Sequence, residues 1–412
     1  MSPANSAPPP SRYGRVVTVP AGTAGLAVLS QVVADVFRAG AVSALLPDYA
    51  TARMRERIAA ALTPPQVAPD PTGSPASPGS AARFGLSDGA VVCPTSGSTG
   101  TPRGVILTRA NLRASALATH TASTGGPPAW FTCLPPATVA SLMCVVRGYE
   151  SNMPVGIWSG AGASRPFTVA EFCADAQDFL ARTRAAGGAI PVRTVLVPTQ
   201  AARLFEDPTA WPTLARFDAV VVGGGPISEE LATSARRAGI SLVRSYGLTE
   251  TCGGIVHDGW PLTGVRVTTL GDELAVAGPM VARSYLDGPL PTSGGYFRTG
   301  DRATIAPDGR VQVRGRLDEV VAVKGTNVDR AAIARVLRSV AGVHDCAVVA
   351  LAHPSDGYRL VAYITGDATA ADCQHAVAAV LGRVAVPEIR EVPTLPTLPG
   401  GKVDLAALLA DE

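Results

Sequence analysis

The sequence predicts an α/β protein with a large N-terminal domain and a small α+β C-terminal domain. Short apolar runs alternate with amphipathic stretches between residues 89 and 245, which is typical of a mostly parallel sheet covered by helices. Residues 264–316 change to short alternating strands separated by Gly, Pro and Asp-Gly, which indicates a β-rich subdomain with hairpins. Beyond that stretch the order becomes helix, two strands and helix. The change in order places the domain boundary at 316/317.

The N-terminal domain is predicted to cover 12–316 and the C-terminal domain 317–412. Residues 1–11 are rich in Pro, Ser and Ala and are predicted to be a disordered tail. A Pro/Ser/Gly-rich stretch at 63–83 predicts a linker or surface loop within the first domain.

The individual elements follow from apolar spacing and from the turn residues between the runs. Thr108 is a predicted helix N-cap, and Thr369 starts another helix with Asp372 as its capping-box partner. The other predicted elements are a helix at 52–62, strands at 89–93, 192–197, 219–222 and 241–245, helices at 200–205 and 229–238, strands at 274–277, 303–305 and 311–313, a helix at 333–340, and strands at 346–351 and 360–364.

Composition excludes several functional classes. The 412 residues carry a formal net charge of +2, which gives no electrostatic reason to expect nucleic acid or an acidic membrane surface as a partner. No apolar run reaches the length of a membrane span, and the N-terminus does not resemble a secretory signal. Seven scattered cysteines without a Cys-x-x-Cys pair predict a reduced, cytoplasmic location and no structural zinc.

The most informative motif is Thr95–Val105, which reads Thr-Ser-Gly-Ser-Thr-Gly-Thr-Pro-Arg-Gly-Val. A Gly/Ser/Thr loop after a buried strand lets backbone N–H groups and hydroxyls approach an anion, and the arginine adds a fixed positive charge. The motif predicts a polyphosphate site, with a flexible polar turn as the alternative. Its spacing fits neither the Walker pattern nor a dinucleotide turn. The candidate phosphate contacts are Thr95, Ser96, Gly97, Ser98, Thr99, Gly100 and Arg103.

Lysine is rare in this chain, because only Lys324 and Lys402 occur among the 35 Lys and Arg residues. Lysine offers a compact charge on a flexible stem, whereas arginine offers a wide planar fork. A lysine kept in an arginine-biased chain therefore indicates a role that arginine cannot fill. For either lysine taken alone, its presence by chance is the alternative explanation.

Three further segments have the composition of ligand-binding turns. Val220–Ser228 is an apolar run that ends in three glycines and a proline, Ser245–Gly254 contains Tyr-Gly-Leu-Thr-Glu, and Tyr296–Asp301 ends in Thr-Gly-Asp. Each of these segments, taken alone, has an ordinary structural explanation. The tyrosine could be a core residue, the glutamate a surface acid, and the glycine-containing stretches ordinary turns. Together with the loop at 95–105 and the Pro-Gly-Gly-Lys segment at 399–402, they form an ordered set of five motifs.

This set resembles the motifs of the adenylate-forming superfamily, which includes acyl-CoA synthetases, peptide-synthetase adenylation domains and luciferases. The resemblance covers residues 89–405 and is greatest to short bacterial o-succinylbenzoate–CoA ligases. It implies activation of a carboxylic acid as an acyl-adenylate and transfer to a thiol, with ATP, Mg²⁺ and CoA as cofactors. Arg103 stands where the superfamily usually has lysine.

The resemblance also implies residue roles in nucleotide binding. Tyr246 lies against the adenine, Thr249 binds a phosphate, Glu250 holds Mg²⁺ and Asp301 accepts hydrogen bonds from the ribose. The remaining implied nucleotide contacts are Gly223, Gly224, Gly225, Pro226, Ser245, Gly247 and Arg316.

The C-terminal domain is implied to act as a lid. Lys402 steadies the attacking carboxylate during adenylation, where a point charge follows the developing charge. Lys324 faces the active site in a second conformation, which the lid reaches by turning about Asp318.

The implied acid pocket is lined by small residues, which are Ala137, Thr138, Ser141, Cys252 and Gly253. Their size leaves a small or inorganic acid as an alternative. A carrier protein or an amine in specialised metabolism is an alternative acceptor. A non-catalytic nucleotide-binding interaction protein is the alternative from another class, although the intact motif residues argue against it. The oligomeric state, including a homodimer, stays open.

Overall fold

The computed structural model describes residues 14–48, 50, 55–56, 58, 88–95, 103–163, 165–187, 189–227, 229–353, 357–397 and 403–410. The predicted tail at 1–11, the predicted loop at 63–83 and most of the predicted helix at 52–62 lie outside these residues.

Ten helices are assigned in the described part of the chain. They are α1 Gly22–Ala39, α2 Arg109–Thr121, α3 Val139–Ser151, α4 Val169–Ala185, α5 Pro198–Glu206, α6 Trp211–Leu214, α7 Glu229–Arg237, α8 Arg330–Arg338, α9 Ala370–Leu381 and α10 Leu405–Ala410.

The same residues contain four sheets. Their strands are β1 Arg15–Val19, β2 Val42–Pro47, β3 Ala90–Pro94, β4 Gly104–Thr108, β5 Ala129–Thr132, β6 Val155–Ile157, β7 Val192–Leu196, β8 Ala219–Gly223, β9 Leu242–Leu248, β10 Gly253–His257, β11 Trp260–Pro261, β12 Arg266–Leu270, β13 Glu273–Ala277, β14 Ser284–Tyr285, β15 Thr292–Ser293, β16 Tyr296–Ile305, β17 Val311–Arg316, β18 Val320–Val323, β19 Thr326–Asp329, β20 Val343–His353, β21 Gly357–Gly366 and β22 Glu388–Glu391.

Internal contacts divide the chain into two units. The first takes in Met1–Ile227, Thr233–Arg266 and Ala277–Thr292, and the second takes in Ser228–Ala232, Val267–Val276 and Ser293–Glu412. The hairpin strands of 267–276 and 293–316 thus group with the C-terminal residues by contact. The predicted boundary at 316/317 stays a prediction.

A seven-stranded sheet with the order β11-β10-β9-β8-β7-β5-β6 is the centre of the first unit. Strands β9, β8, β7, β5 and β6 are parallel, while β10 and β11 are antiparallel to their neighbours. Successive strand residues face opposite sides, so Trp130 packs with Cys144 of α3 while Phe131 lies 5.9 Å from Phe172 of α4. The sheet is therefore covered by a helix layer on each face. A second sheet in this unit has the order β1-β2-β3-β4-β14.

The second unit contains two five-stranded sheets. One runs β12-β13-β16-β15 with β17 on β16, and the other runs β19-β18-β21-β20 with β22 on β21. Helices α8 and α9 bury Ile333, Leu337 and Cys373 against one face of the latter sheet. Leu408 of α10 packs with Val349 and other residues of the opposite face. The α/β architecture with a smaller α+β part is as predicted.

Two predicted helix N-caps lie within the described residues. Thr108 caps α2, because its side chain accepts a hydrogen bond from the Asn111 N–H at 3.2 Å. Thr369 caps α9 in the same way through the Asp372 N–H, also at 3.2 Å. Both predicted caps are confirmed.

Candidate active site

The base of the glycine-rich loop is a closed β-hairpin. The Thr95 N–H donates to the Arg103 carbonyl at 2.8 Å, and the Arg103 N–H donates to Thr95 Oγ1 at 3.1 Å. The loop joins two antiparallel strands, β3 and β4, which pair from Ala90 to Pro94. The sequence interpretation placed helix directly after the loop and missed β4, because its three apolar residues, Val105, Ile106 and Leu107, run directly into the cap at Thr108. Ser96, Gly97, Ser98, Thr99 and Gly100 lie outside the described residues.

The Arg103 guanidinium is held by two residues of a distant segment. It donates to Asp287 through Nε and Nη2 at 2.7–3.2 Å, and its Cζ lies 3.5 Å from the centre of the Tyr285 ring. The hydrogen bond to Asp287 raises the pKa of Arg103 further, so the charge is permanent. Strand β14 carries Tyr285 to this place by pairing with Val105 of β4.

Tyr285 also connects Arg103 to Glu250. The Tyr285 hydroxyl donates to Glu250 Oε1 at 2.9 Å. Burial and the Glu250 charge raise the pKa of this tyrosine, so it remains a neutral donor. The structure therefore brings together two predicted residues, the phosphate-loop arginine and the magnesium-binding acid. Tyr285, which links them, and Asp287, which binds Arg103, had no predicted role.

Arg103 gives the first testable prediction. Arg103→Ala should raise the KM for ATP by about ten- to a hundredfold, because the variant would lose the charge-assisted phosphate contact that the sequence predicts for Arg103. Arg103→Lys should keep most of the activity. Initial rates over an ATP series would measure both effects, with Asp287→Asn as a variant that removes only the partner's charge. An unchanged KM in the alanine variant would mean that this side chain does not bind ATP.

The turn that carries Glu250 is fixed by Thr251. Thr251 Oγ1 accepts from the Leu248 N–H and donates to the Gly253 carbonyl, both at 2.8 Å. The single helical turn Thr249–Thr251 then ends at Cys252, whose φ is 53°. The described residues contain no group of three or more His, Cys, Asp or Glu side chains that could hold a metal by themselves. A single carboxylate fits Mg²⁺, which commonly binds through one or two carboxylates together with substrate phosphates.

The predicted adenine segment lies at the carboxyl end of β8 and β9. Gly223, the last residue of β8, pairs with Ser245 of β9, and a Cβ at Gly223 would lie 2.7 Å from the Ser245 carbonyl. Gly224 follows with a φ of 80°. Gly247 is equally constrained, because a Cβ there would lie 1.9 Å from the Gly253 carbonyl. Gly225, Pro226 and the half-buried Tyr246 complete this edge.

Within the second unit, Arg316 joins two predicted carboxylates. Its Nη1 donates to Asp301 at 3.2 Å and to the Thr299 carbonyl at 3.0 Å, while its Nε donates to Asp318 at 3.1 Å. Asp301 is 5% exposed and lies directly opposite Arg316 in the β16–β17 pair. Gly300 is tight here, because a Cβ would lie 3.0 Å from Nη2 of the arginine.

The two lysines differ in what the structure describes. Lys324 is exposed and occupies the two-residue turn between β18 and β19, with a φ of 49°. Lys402 lies outside the described residues, as does Ser228 at the predicted cap of α7. Close to Lys402, Val403 bridges to Thr397, and the Asp404 N–H donates to the Pro396 carbonyl at 2.8 Å.

The small residues of the predicted acid pocket are largely enclosed. Ala137 is 4% exposed, and Ser141 and Cys252 are 0% exposed. The Ser141 hydroxyl donates to the Leu134 carbonyl at 2.9 Å, and the Thr138 hydroxyl donates to the Pro135 carbonyl at 2.8 Å. In this structure the side chains of Ala137, Ser141 and Cys252 are therefore enclosed, and their place in an acid pocket stays a prediction. Gly253 begins β10 with a φ of 81°.

His257 gives a pH prediction. Burial, together with the charges of Arg147 and Arg193, lowers the pKa of His257 from 6.5 to about 4. The folded protein therefore keeps this imidazole neutral while the unfolded chain takes up a proton. The resulting stabilisation is fully present above pH 6.5 and is lost as the pH falls towards 4, by about 3 kcal/mol.

Chemical denaturation of the protein between pH 7.5 and 4.5 would measure this loss. His257→Gln should flatten the pH dependence, whereas the exposed His344→Gln should leave it as it is. An identical pH dependence in wild type and His257→Gln would contradict the prediction.

Two general features complete the description. All seven cysteines have free thiols. Among the described residues, no helix combines the length and apolar character that crossing a bilayer requires.

Comparison with known proteins gives matches over most of the chain. The model of the AMP-binding enzyme family matches residues 33–286, and the model of the AMP-binding enzyme C-terminal domain matches residues 332–402. The chain is 37% identical over 335 residues to a probable 2-succinylbenzoate–CoA ligase of Mycobacterium tuberculosis, covering 78% of this chain and 84% of the relative. It is 29% identical over 355 residues to a sulfoacetate–CoA ligase of Cupriavidus necator, covering 76% of this chain and 65% of that protein.

The fold matches solved structures as well. One is an o-succinylbenzoate CoA synthetase from Bacillus subtilis in complex with its acyl-adenylate intermediate, with a TM-score of 0.75 and 20% identity over 97% of this chain and 88% of the other. At this identity the match concerns the fold alone.

Proposed function

Because the chain belongs to the AMP-binding enzyme family, we propose that the acid it activates is 2-succinylbenzoate. The reaction class follows from the family, since the chain is an adenylate-forming ligase of the acyl-CoA synthetase type. It converts a carboxylic acid into an acyl-adenylate and passes the acyl group to a thiol. The observation that carries the substrate proposal is the 37% identity over 84% of a probable 2-succinylbenzoate–CoA ligase.

Adenylation is needed because hydroxide is a poor leaving group, whereas AMP is a good one. In the proposed reaction, Arg103 and Thr249 bind the phosphates, and Tyr285 holds the Glu250 carboxylate in a fixed orientation. Glu250 would hold Mg²⁺, which would neutralise phosphate charge when bound. Lys402 stabilises the negative charge that develops when the acid attacks the α-phosphorus.

The second unit contributes ribose recognition in this proposal. A carboxylate can accept hydrogen bonds from both hydroxyls of a vicinal diol, and the hydrogen bond from Arg316 orients the Asp301 carboxylate for that task. Lys324 is assigned to the thioester-forming step, where its exposed turn shapes the path of the thiol.

CoA is the proposed acceptor, and the cytoplasm, where ATP and CoA are available, is the proposed location. A carrier protein or an amine as acceptor, and a homodimer, stay predictions. A small or inorganic acid as the substrate also stays a prediction.

A pyrophosphate-exchange assay tests the proposal. With ATP, Mg²⁺ and 2-succinylbenzoate, the protein should exchange labelled pyrophosphate into ATP, and with CoA it should form the thioester. Exchange with another acid only would refute the substrate but not the reaction class. Failure to exchange with every acid of a broad panel would favour the non-catalytic alternative.

A further inference from the structure

Four buried side chains in the first unit present ring or guanidinium nitrogens without partners. His120 Nε2, Trp130 Nε1, Arg147 Nε and Arg193 Nε have no hydrogen-bond partner among the described residues. The indole and both guanidinium nitrogens can only donate, and a histidine nitrogen donates when protonated there. We refer to these four residues as the donor cluster.

The sheet register and helix α3 place three residues of the donor cluster, Trp130, Arg147 and Arg193, on one face. Trp130 of β5 lies directly beside Arg193 of β7 in the parallel pair. Arg193 and Val195 are two residues apart on β7, so their side chains face the same side of the sheet. On that side Val195 packs with Trp130 and Cys144 under α3. Arg147 of α3 follows Cys144 by three residues, and its Cζ lies 4.8 Å from the centre of the Trp130 ring.

The two arginines carry positive charge in a closed environment. Arg147 is 6% exposed and Arg193 is 7% exposed. Burial, and to a lesser degree each neighbouring positive charge, lowers the pKa of Arg147 and of His120. Among the described residues, Asp218 is the carboxylate whose charge raises the pKa of Arg193, and its Oδ2 already accepts from the Val192 N–H at 2.6 Å. No carboxylate of the described residues acts on the pKa of Arg147 in this way.

A buried charge or hydrogen-bond donor without a partner lowers the stability of the folded protein, unless an opposite charge or an acceptor binds there. The structure offers donors and positive charge but lacks a matching acceptor among the described residues. A bound carboxylate would supply both, because its two oxygens accept several hydrogen bonds and carry the opposite charge.

We propose that the donor cluster binds a second carboxylate of the acid substrate, at the end opposite to the carboxyl group that is adenylated. This inference rests on the proposed function, because it takes the ligand to be the acid that the ligase activates. It assigns Arg147 and Arg193 as residues that determine substrate specificity.

The depth of the donor cluster sets the length of the acid. Arg193 precedes Leu196, at the carboxyl end of its strand, by three residues, which is about 10 Å of strand. Arg147 follows the N-cap Thr138 by nine residues, which is about 13 Å of helix. The adenine-segment glycines lie at this same carboxyl end of the sheet, after β8.

An acid that spans this depth must be elongated, even after the arginine side chains have shortened the gap. The ring carboxylate of 2-succinylbenzoate is separated from the succinyl carboxylate by a ring and a keto chain. Sulfoacetate, with one methylene carbon between its sulfonate and its carboxylate, is too short. The preferred class is therefore an elongated dicarboxylic acid.

The test compares two acids that differ only in the second carboxylate. These are 2-succinylbenzoate and 4-oxo-4-phenylbutanoate, and kcat/KM for pyrophosphate exchange is measured for each. Wild type should prefer the dicarboxylate. Arg147→Met should reduce the ratio of the two kcat/KM values by about ten- to a hundredfold, the effect expected for a lost charge-assisted hydrogen bond.

Two further variants keep the test decisive. Trp130→Phe removes one donor while keeping a ring under Arg147, and it should reduce the ratio in the same direction even if Arg147→Met fails to fold. Arg182→Met, on the exposed face of α4 where Arg182 pairs with Asp178, should leave the ratio unchanged. Equal losses for both acids, or an unchanged ratio in both cluster variants, would overturn the proposal.

A wider panel separates this inference from the proposed substrate. If nonanedioate and not 2-succinylbenzoate is exchanged, in preference to nonanoate and with dependence on Arg147, then the proposed substrate fails and the donor cluster keeps its role. If a monocarboxylate is the best substrate and Arg147→Met does not affect it, the donor cluster proposal fails and the reaction class stands.

Discussion

Lys402→Ala is expected to abolish adenylate formation while sparing thioester formation from acyl-adenylate supplied ready-made. A positive point charge next to the attacking carboxylate stabilises charge that develops only in the first step, and removal of such a group typically costs about 10²–10³ in rate. Lys402→Arg should also fail, because a planar fork does not replace a compact ammonium group. The bridge between Thr397 and Val403 does not include residue 402, so neither substitution removes a residue of that bridge.

The two half-reactions have to be measured separately. Pyrophosphate exchange reports the first step, and release of AMP from synthetic acyl-adenylate in the presence of CoA reports the second. Lys324→Asn is the matched control, because asparagine tolerates the positive φ of that turn. It should affect the second step more than the first. Equal loss of both steps in Lys402→Ala would contradict the assigned division of roles.

Glu250→Gln is the substitution with the second largest expected effect. The amide keeps an oxygen that can accept from the Tyr285 hydroxyl but loses the negative charge that Mg²⁺ requires. The value of kcat/KM for ATP should fall by about 10²–10³, the range seen when one electrostatic contact to the reacting groups is removed. Rates measured over a Mg²⁺ series should show a higher half-saturating concentration.

Tyr285→Phe separates the charge of Glu250 from its orientation. This variant removes one hydrogen bond to the carboxylate and should cost only about tenfold or less. A Glu250→Gln enzyme with the Mg²⁺ dependence of wild type would show that the metal binds elsewhere.

The elements that the sequence predicted are those whose signals are local. The strand Ala219–Gly223 is an unbroken apolar run that ends in glycine, and the helices at Thr108 and Thr369 begin with side chains that accept backbone hydrogen bonds. Such features depend on a few neighbouring residues, so a single sequence contains them.

The features that escaped prediction depend on distant residues. Strand β14 is two residues long and carries no periodic signal, yet it brings Tyr285 to Arg103. The sequence analysis placed the acid pocket at the segment 137–141, together with Cys252 and Gly253. Arg147 and Arg193 lie outside that segment and are buried in apolar surroundings. A charged residue within an apolar stretch of sequence was the signal that could have identified them.

The pair of Arg103 and Asp287 joins residues that are 184 positions apart in the chain. Long-range pairings of this kind form late, because the intervening chain must lose much of its freedom before they add stability. During synthesis, a chain that ends before Asp287 contains the entire glycine-rich loop but lacks the residue that orients its arginine. Nascent fragments should therefore acquire their affinity for ATP abruptly, when the segment around Asp287 has left the ribosome and β14 has joined the sheet.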